Sequence, residues 1–372
     1  MAEQSESGSA RISGGGRGRR HRKRPTTGRR TVKIAAWSAA GVVLAGGAGL
    51  GYVYFKLNGN IKGVDINAQL GTDRPQDVDN GSMDILVLGS DSRAGANKEY
   101  GKDDGGARSD TAMIIHVYEG HKSASVVSIP RDTLVTRPSC TTTDGKADPG
   151  GKRQMFNTAY EVGGPACAVK TVEQMSGIRM DHYIEVDFTG FKKLIDELGG
   201  VPVTTAKPIK DTKSHLDLPA GKHTLNGEQA LGLVRTRHGV GDGSDLGRIQ
   251  LQQAFIKALI ERIKGVGVFH SPTKLYGLAD AATKAITTDS DLNSINKLIG
   301  FGNGLKGLGA NDVHMVTLPV MYDPADPNRV LPQQAHSKEV WDALLKDQPI
   351  PASATKDSAG DKGDAGAVVK TG

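Results

Sequence analysis

Three short charged segments stand where strands are expected to begin or end. They are Gly89-Ser90-Asp91-Ser92-Arg93 after an apolar run, Arg108-Ser109-Asp110-Thr111 before one, and Pro130-Arg131-Asp132-Thr133 after another. Ligand sites of open α/β sheets collect at strand ends, although a lone Asp or Arg there is commonly only a cap or turn former. A fourth cluster is less easily dismissed. Arg235 and Arg237 close one helical stretch, and Asp245, Arg248, Gln252 and Gln253 lie along the next; Arg248 and Gln252 are four residues apart and share a helix face. Guanidinium groups match phosphate oxygens in pairs, and one or two aspartates beside bound phosphates suit Mg²⁺. A set rich in Arg, with several Asp, no Ser–His–Asp order and no Walker motif, points to a pyrophosphate–metal site for phosphoryl transfer and not to ordinary nucleotide hydrolysis.

The elements that must carry these residues follow from periodicity. Residues 83–91, 111–120 and 123–132 read as strands, the first short and buried and the other two around a Gly-containing turn. Residues 157–176 read as a helix interrupted at Gly163–Pro165, 181–188 as an alternating strand, 191–200 as a helix ended by glycine and 201–206 as a strand. Helices are predicted at 226–237 and 244–265, the second capped by Ser244 or Asp245 with Leu246, Ile249, Phe255, Leu259 and Ile263 as its apolar positions. A helix near 291–299, a strand at 313–320 and a helix at 335–346 complete the pattern. Strands and helices alternate irregularly, which predicts helices on both faces of a mixed sheet, a three-layer α/β/α domain over 82–350.

The charge is unevenly placed. The 372 residues carry 47 Lys/Arg against 41 Asp/Glu, but residues 1–33 alone hold 10 basic and 2 acidic groups, so the remainder is slightly acidic. The basic excess belongs to the tail, and nucleic-acid binding by the folded part is not expected. Residues 1–33 are Gly/Ser/Arg-rich and are expected to be a disordered tail. Residues 34–55 run for twenty-two positions without a charge, long enough for a helix of about 33 Å to cross a bilayer core of about 30 Å. No short apolar region with a small-residue cleavage site marks a signal peptide. The expectation is a single uncleaved transmembrane helix, with the basic tail cytoplasmic and everything after it outside the cell membrane. Residues 56–81 are expected to be a polar extracellular linker and 351–372 a disordered tail.

The blocks LVLGSDSR, RSDT, SIPRDT, FNTAYEVGGP, TVEQMSGIRMDHYIEVDF, FKKLIDELGGV, LNGEQALGLVRTRH and DLGRIQLQQAF occur in the order of the LytR-CpsA-Psr family, which the chain resembles over roughly 83–265. The resemblance implies an α/β/α domain holding a polyprenyl pyrophosphate in an apolar tunnel, and Mg²⁺-dependent transfer of a lipid-linked glycopolymer to peptidoglycan as a phosphodiester. Carried over by motif, Asp91 and Asp110 would hold the metal. Arg93, Arg108, Arg131, Arg235, Arg237 and Arg248 would grip the pyrophosphate, with Asp245 orienting an arginine and Gln252 in the same site. The sequence departs from the family at Met155, where many relatives have Lys; Lys152 or Arg153 could replace that charge, or the contact could be absent.

Two rival activities remain open: a polyprenyl-pyrophosphate hydrolase using water as acceptor, and a regulator that only senses lipid intermediates. The complete Asp/Arg set disfavours the sensor, which needs no metal pair. His182, in an alternating strand, reads as a core or turn residue and His238 as a surface one. Two cysteines exclude a disulfide-dense scaffold and a four-cysteine zinc site. Both lie beside loop-forming residues in a chain expected to be exported, which predicts a Cys140–Cys167 bridge.

Overall fold

The computed structural model describes residues 47–90, 109–237, 244–266, 271–361 and 369–371. Residues 1–53 and 54–372 are separate compact units, and of the first only 47–53, which are helical, are described. The span expected at 34–55 lies largely outside the described residues, among which no helix is long and apolar enough to cross a membrane.

Strand β1 (Lys62–Val64) is followed by β2 (Met83–Ser90), β3 (Ser109–Val117) and β4 (Ala124–Ile129). Strands β5 (Leu134–Arg137) and β6 (Gly151–Met155) pair antiparallel and lead into helix α1 (Phe156–Ser176). Next come β7 (His182–Asp187), α2 (Phe188–Glu197), β8 (Val201–Thr205), β9 (Gly221–Leu225) and α3 (Gly227–Arg235). Helices α4 (Asp245–Gly265) and α5 (Pro272–Ala285), strand β10 (Ile286–Asp289) and helix α6 (Ile295–Leu305) precede β11 (Val313–Thr317). The hairpin β12 (Val320–Asp323) and β13 (Asp326–Pro332), helix α7 (Gln334–Leu345) and strand β14 (Val369–Thr371) end the chain.

The main sheet has the order β1-β10-β7-β2-β3-β4-β11. It is mixed: β2, β3 and β4 form an antiparallel meander, while β7 joins β2 and β11 joins β4 in parallel. Alternation along the strands separates two faces. Leu86, Leu88, Ile114 and Val127 point to one, fully buried against Val169 and Val172 of α1 and Val340 and Leu344 of α7. Ile85, Met113 and Val126 point to the other, against Ile256 and Ile260 of α4 and Phe301 and Leu305 of α6. Helices therefore cover both faces, as the irregular alternation of elements predicts. The second face is looser: Val87, Ile115, Ile184, Ile256, Ile260, Phe301 and Leu305 are only partly buried. A separate core joins Ile195 of α2, Val203, Leu225, Leu233 and Phe255. Gly190 in α2 lets that helix approach α5, since a Cβ there would lie 2.2 Å from Ala285 Cα.

Two expected boundaries are corrected. The segment 56–81 is not a linker: β1 pairs with β10 at the sheet edge, Ile66 and Leu70 are buried in the main core, and Arg74 forms an ion pair with buried Glu173. Nor is all of 351–372 a loose tail, because Ala354 is buried and β14 adds to β8, with Val369 in the second core. The interruption of α1 is real: Gly163 and Gly164 leave helical geometry, Gly164 with φ 60°, just before Pro165. A Cβ on Gly163 would lie 2.7 Å from Cys167 Cβ and from the Thr141 carbonyl oxygen, so the bend sits against the predicted bridge. Cys140 and Cys167 are joined, with their Cα atoms 5.6 Å apart.

Candidate active site

The antiparallel meander brings the end of β2, the start of β3 and the end of β4 to one edge of the sheet. Asp110 is the second residue of β3, and Arg131 follows β4 in a turn closed by Thr133, whose Oγ1 donates to the Pro130 carbonyl at 2.6 Å. The turn is fixed to the start of α1, where the Phe156 N–H donates to the Thr133 carbonyl and the Asn157 N–H to the Arg131 carbonyl. Helix α4 begins over the same edge with Asp245, its only acidic first-turn residue, followed one turn later by Arg248.

Asp245 is the hub. Its carboxylate accepts the Arg131 backbone N–H at 3.2 Å and pairs with Arg248, with Arg237 at 3.7 Å and with Arg131 at 3.8 Å. Arg131 also donates to Asp110 at 2.5 Å, and Arg248 to the Asp110 carbonyl at 2.8 Å. Gln252, one turn beyond Arg248, donates to Thr111 Oγ1 and to the Val234 carbonyl, both at 2.9 Å, so it holds α4 against β3 and α3. Gln253 does the same for Ser128 at 3.2 Å.

Burial alone would raise the pKa of Asp110, but Arg248 and Arg131, and then Arg237, hold it below the usual carboxylate value. Burial pulls Arg237 down, and the like charges of Arg248 and Arg131 add to it against Asp245 and Asp110. Arginine stays charged regardless, so the shift records burial first and crowding of positive charge second, and a bound anion would offset both. Buried polar atoms without hydrogen bonds gather here too: Arg131 Nε, Arg248 Nε and Asn157 Oδ1. Native structures leave few such groups, and a cluster of them marks a ligand site.

Two cavities meet at this cluster, with Arg237 in the wall of both. The smaller, about 190 Å³, is lined by Asp110, Asp211, Lys213, Arg235, Arg237 and Arg248. The larger, about 440 Å³, is bounded by Arg131, Asp132, Asn157, Arg237, Asp245 and, from the β12–β13 hairpin, Tyr322 and Arg329. The structure thus brings Asp110, Arg131, Arg237, Asp245, Arg248 and Gln252 together. It sets Arg235 beyond them at the smaller cavity, its guanidinium 5.0 Å above the Phe188 ring. Asp91, Arg93, Arg108 and His238 lie outside the described residues. His182 pairs with Asp289 at 3.3 Å and meets Phe301 edge to face.

Neither Lys152 nor Arg153 brings its charge to the place of Met155. Met155 lines the larger cavity, whereas Arg153 turns away to Asp323 at 2.5 Å, and it and Lys152 border a different groove. The cations that share the larger cavity with Met155 are Arg131, Arg237 and Arg329; the sequence reading missed Arg329, together with Asp132, Asn157, Asp211 and Lys213. Asp132 and Asn157 stand inside conspicuous blocks; Arg329, in a Pro/Asp-rich stretch that reads as loop, gives no local signal.

The chain belongs to the LytR-CpsA-Psr family: the model described as the LytR_cpsA_psr family matches residues 53–346. Among its relatives, the cell wall biosynthesis protein LcpA of Corynebacterium glutamicum is 32% identical over 302 residues, 73% of this chain and 57% of that protein. The polyisoprenyl-teichoic acid–peptidoglycan teichoic acid transferase TagT of Bacillus subtilis is 35% identical over 259 residues, 67% of this chain and 74% of TagT. The chain thus spans little more than half the length of LcpA. A solved structure of YwtF (TagT) with bound octaprenyl pyrophosphate lipid superposes with a TM-score of 0.51 at 26% identity, covering 74% of this chain and 96% of that one.

Proposed function

We propose that the protein is a phosphotransferase that moves a polyprenyl-pyrophosphate-linked glycopolymer onto peptidoglycan as a phosphodiester. One observation carries this reading: Arg131, Arg237 and Arg248 converge on Asp245 at the sheet edge, and one apolar face of the same sheet is covered only partly by its helices. Preoriented cations suit a transferring phosphoryl group, and a loosely covered apolar layer suits an isoprenoid chain. The relatives' names, a teichoic acid transferase and a structure with a bound polyprenyl pyrophosphate, agree with that chemistry.

In this reading the bond between the transferred phosphorus and the lipid phosphate oxygen breaks, and a bond to a muramic acid hydroxyl forms in line with it. Arg131, Arg237 and Arg248 hold the phosphate oxygens and balance the charge that develops on them. Asp245 fixes the three guanidinium groups, and Gln252 keeps α4 in register with β3. The hydroxyl proton passes to a carboxylate of the cluster, Asp110 or Asp245.

Mg²⁺ is part of the proposal. Asp110 fits such an ion, because its carboxylate is held ionised, lines the smaller cavity and, among the described residues, engages only Oδ1. Asp110 with Asp91 would hold the metal, which would supply charge neutralisation to the pyrophosphate. The protein would be anchored in the cell membrane by residues 34–55, with the domain outside.

The test incubates the full chain in vesicles with octaprenyl-pyrophosphate-linked saccharide, Mg²⁺ and peptidoglycan oligomers. A phosphodiester-linked product, lost in Arg131→Ala by orders of magnitude, is expected. Release of free sugar phosphate undiminished by acceptor would replace transfer by hydrolysis, and binding without turnover would leave only a sensor.

A further inference from the structure

The larger cavity has a wall that the phosphate-handling cluster does not need. The β12–β13 hairpin stands apart from the main sheet, yet it is tied to the Arg131 turn. Val330 bridges to Thr133, and the Val330 N–H donates to the Asp132 carbonyl at 3.3 Å. This tether sets Arg329 over the turn. Its guanidinium lies 3.8 Å from both Asp132 and Asp326, too far for a hydrogen bond, and donates only to the Asn328 carbonyl at 3.2 Å among the described residues. Most of its donors are unspent. Across the cavity Asn157 is 92% buried, and its Oδ1 has no hydrogen-bond partner. Tyr322 adds a phenol ring that stays 40% exposed at the rim.

A cationic fork, an orphaned amide oxygen and an exposed ring around about 440 Å³ are the groups that bind a pyranose, which offers hydroxyl or acetamido donors, oxygen acceptors and an apolar face. An isoprenoid would leave these polar groups unpaired. A bare pyrophosphate could engage Arg329, which lines the same cavity as Arg131 and Arg237, but it has only acceptors and would leave Asn157 Oδ1 without a donor.

We propose that Arg329 and Asn157 form a sugar subsite adjoining the transferred phosphate, making Arg329 a specificity-determining residue supplied by the β12–β13 hairpin. The proposal rests on the phosphotransferase reading and names the part of the substrate that reading leaves unplaced. The pyranose comes either from the first sugar of the lipid-linked donor or from the acceptor glycan. Both present the same chemistry next to the phosphorus, on opposite sides of the bond being exchanged. Arg329 replaces nothing in the Asp245 hub, so its loss is expected to spare the grip on pyrophosphate.

The test uses the full chain in vesicles and two probes, octaprenyl pyrophosphate and octaprenyl-pyrophosphate-linked N-acetylglucosamine, with Arg329→Ala, Arg329→Lys and Asn157→Ala. If the donor sugar fills the cavity, the wild type binds the sugar-bearing lipid about tenfold more tightly than the bare one, the value of one charge-assisted hydrogen bond. Arg329→Ala and Asn157→Ala then lose that increment while binding the bare lipid normally. If the acceptor fills it, the two lipids bind alike, and the same variants raise the KM for peptidoglycan oligomers about tenfold with the donor KM unchanged. In either arm Arg329→Lys recovers only part of the effect, because it restores the charge without the fork. Equal weakening of both lipids by Arg329→Ala would make Arg329 a pyrophosphate ligand and overturn the subsite. An unchanged sugar increment together with an unchanged acceptor KM would overturn it as well. Failure of the wild type to bind either lipid would instead remove the phosphotransferase reading, and this inference with it.

Discussion

Reducing the Cys140–Cys167 bridge perturbs the fold at one defined place. The bridge spans 27 residues of sequence, including β6 and the first turns of α1. In the chain-entropy account, freeing a loop of that length in the unfolded chain removes about 3.5 kcal/mol of stability. Cys140 and Cys167 are 6% and 1% exposed and pack with Ala159, so the thiols of the reduced form stay in an apolar cluster and add no large solvation change. The comparison is best made between oxidised and reduced wild type, which share every side chain. Because both sulfurs are buried, reduction is carried out in denaturant and the protein refolded with reductant present. Urea unfolding is then expected to give stabilities differing by about 3–4 kcal/mol, with a melting temperature lower by roughly 5–10 °C in the reduced form. A difference below about 1 kcal/mol would refute the loop-entropy reasoning. Thiols that label in the denatured protein without reductant would refute the bridge itself. The same loop carries Asn157 and backs the Arg131 turn, so the reduced protein is also expected to be a poorer catalyst below its melting temperature.

Asp245→Asn keeps the shape of the hub but removes the charge that holds three guanidinium groups; transfer is expected to fall about a hundredfold or more with the fold intact, and near-normal turnover would show that the arginines orient themselves. Asp110→Asn should abolish Mg²⁺ dependence along with transfer, and chelator-treated protein should regain activity with Mg²⁺ only when Asp110 is present; full activity in chelator would remove the metal from the proposal. Stability should also fall in alkaline solution. His116 is buried between Asp84 at 2.8 Å and Asp347 at 3.0 Å; burial opposes its charge, but the hydrogen bonds to Asp84 and Asp347 outweigh that and raise its pKa above 6.5, while burial raises Asp84. A raised folded-state pKa gives stability that is complete below pH 6.5 and is lost as pH climbs through the folded value. Melting temperatures should therefore drop from neutral to alkaline pH in the wild type and vary less in His116→Gln; parallel profiles would discount the cluster.

The part of the fold legible in the sequence is the part made of local pattern. The meander β2–β3–β4 shows itself because its strands are long, apolar and punctuated by charged turns, and α4 because its cap and apolar positions recur over five turns. The core of the site follows, since Asp110, Arg131, Asp245 and Arg248 sit at ends of those elements. What escapes is placed by distant contacts. Lys62–Val64 is too short to carry a period, and only its pairing with β10 makes it a strand. Val369 lies in a tail whose composition is that of disorder, yet it completes the second core against β8. Arg329 sits among Pro and Asp residues that read as loop, and it reaches the site only because Val330 bridges Thr133, nearly two hundred residues earlier in the chain.

The unequal burial of the two sheet faces couples occupancy to folding. The face beneath α1 and α7 is closed and contributes its full hydrophobic stabilisation in the protein alone. The face beneath α4 and α6 keeps Val87, Ile115, Ile184, Phe301 and Leu305 only partly buried, so an apolar chain laid on it would add burial free energy that the protein alone does not realise. Any isoprenoid that binds this layer binds the native state and not the unfolded one, and at a hundred times its dissociation constant it stabilises the domain by about 2.7 kcal/mol. The melting temperature is then a gauge of lipid loading. In the proposed phosphotransferase reading, the domain that has just released its lipid would be the least stable form, and rebinding a lipid-linked donor would restore its stability.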